Sequence, residues 1–300
     1  MKERHVTMQK RSLLSILLVL TLSVCLLAGC AKPAPAQDDT QISIGVLKGP
    51  TGMGAIRLLD DAETGKLANY HVTLTPEPTD IVARLANGEL DIGALPTNVA
   101  ANLYKKTNGG VQILAINCLG VLYVLENGEG VQSVEDLRGR TLLSAGQGSN
   151  PEFTLNFILR QNGLEPGTDV DVQFADAGEI AAKMISGDAD LCMLPVPAAT
   201  TVLMKNPDVR CALDMTEQFA SAAGDGAALT QGCLVARRAF IEEHPAAVEQ
   251  FLAAYAASVQ QVLDDLDAAA ELVAKYEITG SAQIARRALP DASIVCIGKP

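Results

Sequence analysis

One pattern occurs twice and limits what this chain can fold into. Asn87-Gly88-Glu89-Leu90-Asp91-Ile92-Gly93-Ala94-Leu95-Pro96-Thr97-Asn98 is echoed by Ser186-Gly187-Asp188-Ala189-Asp190-Leu191-Cys192-Met193-Leu194-Pro195-Val196-Pro197, with Gly88, Asp91, Leu95 and Pro96 each repeated 99 positions later. Each copy follows an amphipathic segment, Ile81 to Leu85 and Ile180 to Met184. Each reads the same way: Gly stops a helix, an acidic residue turns the chain, and a short apolar run makes a buried strand. A Pro then closes the strand and opens the next helix, where its missing N–H costs nothing. Two copies in register, each with its own helix, predict two similar α/β lobes in one chain.

The segments further upstream also correspond. A strand at 42–47 leads into Lys48-Gly49-Pro50-Thr51-Gly52-Met53-Gly54 and a helix; a strand at 141–145 leads into Gly146-Gln147-Gly148-Ser149-Asn150-Pro151 and a helix. Strand, Gly-rich loop and helix start form an arrangement receptive to anions, because unpaired N–H groups and the helix dipole converge there. Two lobes carrying such loops predict a cleft between them. The full order predicted is strand 42–47, helix 53–64, strand 71–75, helix 78–87, strand 91–95, helix 97–106, strand 111–117 and strand 121–126. Then follow strand 141–145, helix 151–162, strand 169–174, helix 177–186, strand 190–194, helix 196–205 and strand 209–213. Such alternation means mostly parallel sheets with helices on both faces. Ser133 with Asp136 reads as a capped helical turn. Ala228 to Ala236 is a further apolar run, and Pro245 to Tyr276 is a long amphipathic helix or a pair of helices. Residues 117–120 and 229–232 read as the two crossings of a hinge.

The first residues are targeting sequence. Lys2, Arg4, Lys10 and Arg11 precede an apolar core, Leu13 to Leu27, too short for a comfortable membrane span. Ala31 to Thr40 reads as a flexible tether. The expected division is 1–29 signal peptide, 30–40 tether, 41–118 with 232–300 first lobe, and 119–231 second lobe. Loss of residues 1–29 removes four basic residues and Glu3, taking the formal charge from −12 to −15. A body this acidic is a poor match for nucleic acid, whose phosphates it would repel. It would be repelled by anionic lipid too, so attachment must come from an anchor. About 260 residues remain after the tether, enough for two cores.

Residues able to do covalent or metal chemistry are sparse. Of three histidines, His5 lies in the leader, and His71 and His244 have no ligand partners at useful spacing. No G-x-S-x-G elbow occurs, and the 49–54 loop lacks both the Lys-Ser/Thr of a phosphate loop and the third Gly of a dinucleotide fingerprint. No cofactor and no metal are therefore expected. After Cys25 and Cys30, five cysteines remain: Cys118, Cys192, Cys211, Cys233 and Cys296. The odd number and the lack of a C-x-x-C favour five free thiols, which suits a reducing or anaerobic habitat; a Cys211–Cys233 disulfide is the alternative.

Three features carry a family resemblance: the doubled Gly-Glu-Leu-Asp-Ile-Gly pattern, the run Ser133-Val134-Glu135-Asp136-Leu137-Arg138-Gly139-Arg140-Thr141, and Leu27-Ala28-Gly29-Cys30. Together they resemble an ABC-transporter solute-binding lipoprotein of the branch that takes sulfonates, nitrate and thiamine precursors. The resemblance covers most of residues 42–290. Leu27-Ala28-Gly29-Cys30 resembles a lipobox, which implies cleavage before Cys30 and lipid on its thiol. It further implies a two-lobed type II periplasmic-binding-protein fold of class α/β, each lobe a mostly parallel sheet flanked by helices. Members usually run longer at the C-terminus, so the apolar run ending at Ile297 points to a further closing element. A fungal-type thiamine-precursor synthase of this fold uses a tight cysteine cluster that this chain lacks.

The resemblance implies capture of a small organic solute or anion outside the cell by a monomer that delivers it to ABC permease subunits. An enzyme of the same fold and a receptor presenting its ligand to a sensor kinase are the alternatives. Ligands of open α/β sheets gather at the carboxyl ends of strands. That points to Thr51, Gly52 and Met53 in the first loop, Thr97 and Asn98 after the first repeat, Asn117 and Gln231 at the hinge, and Gly146, Gly148, Ser149 and Asn150 in the second loop. Thr97, Asn98, Ser149 and Asn150 are equally candidates to cap their own helices, and the first loop is equally a simple tight turn. The second-repeat equivalents of Thr97 and Asn98 are Val196 and Pro197, so one wall should be polar and the other partly apolar. The ligand is expected to bridge both loops and to draw hydrogen bonds from backbone N–H groups at helix starts.

Overall fold

The computed structural model describes residues 39–224 and 226–298. The signal peptide, Cys30 and nearly all of the tether lie outside the described residues. Among the described residues no helix is long and apolar enough to cross a membrane.

The first lobe begins with β1 (Ile42–Leu47), the short helix α1 (Pro50–Gly54), α2 (Ile56–Glu63), β2 (Tyr70–Thr75), α3 (Pro78–Ala86), β3 (Ile92–Pro96), α4 (Thr97–Lys106) and β4 (Val111–Cys118). The chain then crosses to β5 (Leu122–Asn127), a 3-10 turn at Val134–Leu137, β6 (Thr141–Ser144), α5 (Asn150–Gln161), β7 (Asp171–Phe174), α6 (Ala177–Ser186), β8 (Leu191–Pro195), α7 (Ala198–Lys205), β9 (Val209–Asp214) and α8 (Met215–Ala223). It returns as β10 (Gly232–Arg237), α9 (Arg238–Glu243), α10 (Pro245–Asp264), α11 (Leu266–Lys275), α12 (Ala282–Ala288) and β11 (Ile294–Gly298).

Two sheets result, in strand order β11-β4-β10-β3-β1-β2 and β7-β6-β8-β5-β9. The strand after each crossing, β5 or β10, runs antiparallel to both its neighbours. β11 also pairs antiparallel with β4, so the apolar run at 294–297 closes one edge of the first sheet. The remaining strands of each sheet point one way, as the alternating pattern predicts. Both faces of both sheets are covered. In the first lobe one face packs under α1, α2 and α10–α12 through Met53, Ile56, Phe251, Tyr255 and Val259. The other packs under α3 and α4 through Ile81, Leu85 and Leu103. In the second lobe Leu155 and Ile158 of α5 cover one face, and Ile180 and Met184 of α6 the other.

Three helices depart from the sequence reading. The helix expected at 53–64 is broken at Ala55. Ser258 of α10 donates its hydroxyl to the Gly54 carbonyl (2.8 Å) and accepts from the Leu58 N–H (3.2 Å), the two groups a continuous helix would join to each other. The helix expected at 196–205 starts only at Ala198. Helix α8 was not expected, although Asp214 caps it through the Thr216 N–H at 2.8 Å and Glu217 stands three residues on. The Pro245–Tyr276 stretch divides into α10 and α11 at Asp265, whose carboxylate accepts from the Ala268 N–H. The Ser133–Asp136 capping box forms as expected.

The two crossings run side by side: the Gln231 N–H donates to the Cys118 carbonyl at 3.0 Å. The five described cysteines are free thiols, and Cys211 and Cys233 stand in different sheets. Burial pushes the Cys118, Cys192 and Cys233 thiols up to about 12, which leaves them protonated and unreactive near neutral pH.

Candidate functional site

The carboxyl ends of β3 and β4 and the start of β10 meet at the seam between the lobes. Gly232 lies between Pro96 and Cys118, paired to both. A Cβ on Gly232 would stand 2.6 Å from Asn117 Oδ1 and 2.9 Å from the Thr51 methyl, so glycine here lets three backbone elements converge. Asn117 is fully buried and its Nδ2 donates to the Tyr255 hydroxyl at 3.2 Å. Burial raises the Tyr255 hydroxyl well above its usual range, so it stays protonated.

Asn150 brings the second lobe to this cluster. Asn150 Nδ2 donates to Thr97 Oγ1 (2.9 Å) and to the Gln231 carbonyl (2.8 Å). Thr97 donates its hydroxyl to the Thr230 carbonyl at 3.1 Å and its N–H to the Gln231 carbonyl at 3.2 Å. Thr51, Thr97, Asn117, Asn150 and Gln231 thus come together. On the apolar side, Val196 of the second lobe is buried in the same cluster as Met53, Leu289 and Ala292 of the first.

The capping expectations fail for reasons the geometry makes plain. Pro96 occupies the cap position of α4, so Thr97 is already the first helical residue and turns its hydroxyl to residue 230. Ser149 does hold the cap position of α5, but its hydroxyl donates to the Gly146 carbonyl at 2.7 Å and caps nothing. Gly52 and Met53 sit deeper in the first loop than its exposed start. Both are buried in the first lobe, and a Cβ on Gly52 would meet the Leu47 carbonyl at 2.4 Å. Gly146 and Gly148 take left-handed backbone at φ +83° and +70°, which glycine alone adopts freely.

Three backbone N–H groups beside these helix starts are already taken. The Gly148 N–H donates to the Glu152 carboxylate at 2.6 Å, the Ser149 N–H to the Gly146 carbonyl, and the Thr97 N–H to Gln231. Side-chain atoms here also lack a hydrogen-bond partner: Asn98 Nδ2 and Oδ1, Asn117 Oδ1 and Gln231 Nε2, all of them buried. Native proteins rarely leave such atoms unsatisfied, and each costs about 1–3 kcal/mol. The amides of residues 98, 117 and 231 therefore keep hydrogen-bonding capacity that no other residue takes up. Tyr255, Gly232 and Glu152 were missed by the sequence reading, because only the packing of α10 and β10 brings the first two to this seam.

Among the described residues no group of three or more His, Cys, Asp or Glu is placed to hold a metal. His71 instead pairs with Gln41 (2.9 Å) and His244 packs on Phe240. An open depression of about 720 Å³ at the N-terminal ends of β6 and β8, lined by Arg140, Lys183, Asp188 and Asp190 among others, shares no residue with the cluster.

Similar architecture is found in solved structures. An ABC transporter protein from Parabacteroides distasonis is 22% identical, with TM-score 0.70 and 86% of each chain covered. The periplasmic aliphatic sulphonate binding protein SsuA from Escherichia coli is 18% identical, with TM-score 0.70, over 87% of this chain and 81% of that one. The alkanesulfonate-binding protein SsuA from Xanthomonas axonopodis pv. citri, bound to MOPS, is 16% identical, with TM-score 0.63, over 87% and 88%. At such identities the likeness is one of fold, the two-lobed periplasmic-binding-protein architecture. No curated protein sequence matches the chain. The model of the family described as NMT1/THI5 like matches residues 71–269, more than half of the chain, and the protein belongs to that family.

Proposed function

We propose that the protein is the solute-binding component of an ABC importer, held at the extracytoplasmic face of the cell membrane by lipid on Cys30. It captures a small organic solute between its lobes as a monomer and hands it to permease subunits. The observation that carries this reading is the set of unpartnered buried amides at the seam between the lobes. Binding at such a seam couples occupancy to closure, because a ligand bonded to both lobes holds them together. A permease can then tell loaded from empty protein. Family membership and the fold of the solved relatives support the reading, two of which are named as sulfonate binders. The cluster is built of uncharged amides and hydroxyls, and burial keeps the neighbouring Cys118 and Cys233 thiols protonated near neutral pH, which suits binding.

Two measurements test it. Mass spectrometry of small molecules carried through native purification should find one stoichiometric ligand, released on unfolding. Cys30→Ser should move the protein from the membrane fraction to the soluble fraction. Unchanged membrane attachment of an uncleaved precursor would refute the lipid anchor, and a protein that binds no solute would refute the transport role.

A further inference from the structure

Among the described residues every ion pair joins two residues of the same lobe, so charge does not hold the lobes together. Across the seam, Val196 shares an apolar cluster with Leu289 and Ala292, a contact without direction, while Asn150 makes two directed hydrogen bonds. The sense of those bonds is fixed. The Gln231 carbonyl only accepts, so the Asn150 atom 2.8 Å from it is the NH2 group. Thr97 gives its hydroxyl proton to the Thr230 carbonyl and keeps a lone pair for Asn150.

Each half of the contact is set by its own surroundings. In the second lobe Asn150 is the first residue of α5, and the loop before it is pinned by the Ser149 hydroxyl on the Gly146 carbonyl (2.7 Å) and by the Glu152 carboxylate on the Gly148 N–H (2.6 Å). On the other side Thr97 opens α4 and donates its N–H to the same Gln231 carbonyl that Asn150 reaches. Groups held in place before they meet lose little freedom on meeting. Hydrogen bonds between two such bodies form in one relative orientation, because they weaken steeply with distance and angle.

We propose that Asn150 is an interlobe latch: its NH2 group, held on Thr97 Oγ1 and the Gln231 carbonyl, keeps the lobes together with no solute between them. Opening breaks both bonds and hands the freed groups to water. The latch moves the resting equilibrium towards closed lobes, which lowers the cost of closing round a solute and slows its entry. That use in solute capture rests on the reading above; the latch itself needs no solute.

Energy transfer between fluorophores on non-natural amino acids at Lys106 and Gln161 tests this in the full-length protein, freed of small molecules by dialysis. These exposed residues end α4 and α5, whose first residues make the contact, so their separation follows the lobes. The wild type is expected to show mainly one transfer efficiency. Asn150→Ala should lower the ratio of closed to open molecules roughly tenfold, through loss of two hydrogen bonds. Thr97→Val keeps the bond to the Gln231 carbonyl and should lower it about threefold. Asn150→Asp should open the lobes at least as far as Ala, because it sets a carboxylate against a carbonyl. An acidic first turn suits α5, so its melting temperature should hold or rise. A residue that merely supports α5 would leave transfer in the Asp variant unchanged. Unchanged transfer in either Asn150 variant overturns the latch, as does a wild type whose lobes are as open as those of the variants. If the Asn150 variants fail to fold, Thr97→Val decides the matter from the first lobe. The readout needs no solute, so a protein found to bind none would overturn the solute-binding reading and leave the latch standing.

Discussion

The two copies of the repeat make the same backbone and use it differently. In both, the acidic residue before the strand accepts a backbone hydrogen bond from the neighbouring antiparallel strand: Arg237 N–H to the Asp91 carbonyl, and Asn127 N–H to the Asp190 carbonyl. In the first lobe the side chains join in, as Asp91 accepts from Arg237 (2.5 Å) and from the Ser43 N–H (2.9 Å). In the second lobe residue 127 is Asn, and Asp190 is exposed on the rim of the open depression. One position along, the roles reverse. Ala236 is an apolar core residue in the first lobe, whereas its counterpart Glu126 is buried between Arg140 (3.2 Å) and Arg210 (2.7 Å). A repeat therefore conserves geometry, while each lobe finds its own way to stabilise it.

The loops diverge as well. Glycines of the first loop allow close packing, with Gly52 against the Leu47 carbonyl and Gly54 against the Tyr255 hydroxyl. Those of the second loop allow left-handed turns. The ends of the repeats diverge most. Thr97 and Asn98 make the polar side of the seam, while Val196 makes its dry side.

The largest effect should come from the buried charge. Glu126→Gln leaves Arg140 and Arg210 without their shared carboxylate and is expected to lower stability to urea by about 3 kcal/mol. A loss below ~1 kcal/mol would mean that the charged knot does not distinguish the lobes. Burial pushes the Glu126 carboxyl up, but the Val131 N–H and the two arginines outweigh it and hold the group below its ordinary 4.5. Folding therefore favours the ionised form. Its contribution is complete above that value and is lost as pH falls through the lower folded value. Acid melts of the wild type and the Gln variant should converge below about pH 4.5, the unfolded-state value, and stay parallel above it.

Next come the glycines. Gly52→Ala should cost about 2 kcal/mol, since its Cβ meets backbone that cannot yield. Gly148→Ala, with open space but a left-handed backbone, should cost about 1 kcal/mol. Equal losses in thermal melts would erase the distinction between packing and turn glycines. The smallest effects test the repeat itself. Asp91→Asn should cost about 1 kcal/mol through loss of the charge on its pair with Arg237, and Asp190→Asn no more than ~0.5 kcal/mol. Matching values would show that the Asp91–Arg237 pair contributes nothing beyond the shared backbone.

The lobes, the alternation and most strands were legible in the sequence because they rest on local rules: apolar periodicity, Gly stops and Pro starts. Asp91 and Asp190 mark the same turn whatever surrounds them. The seam was legible in part. Thr97 follows a strand end, Asn150 opens a helix after the second Gly-rich loop, and Asn117 and Gln231 stand at the two crossings, which singled them out. Only tertiary structure decided that Met53 and Gly52 turn inward, that Ser258 splits a helix by taking the hydrogen bonds between Gly54 and Leu58, and that Tyr255 stands under Asn117. The last two depend on α10, 138 to 204 residues further along, packing on the first lobe. The same holds for hydrogen bonding at the seam. Sequence identifies amides and glycines, but which N–H is already taken by Glu152 and which amide is left without a partner is fixed only when both lobes close on the same few ångströms.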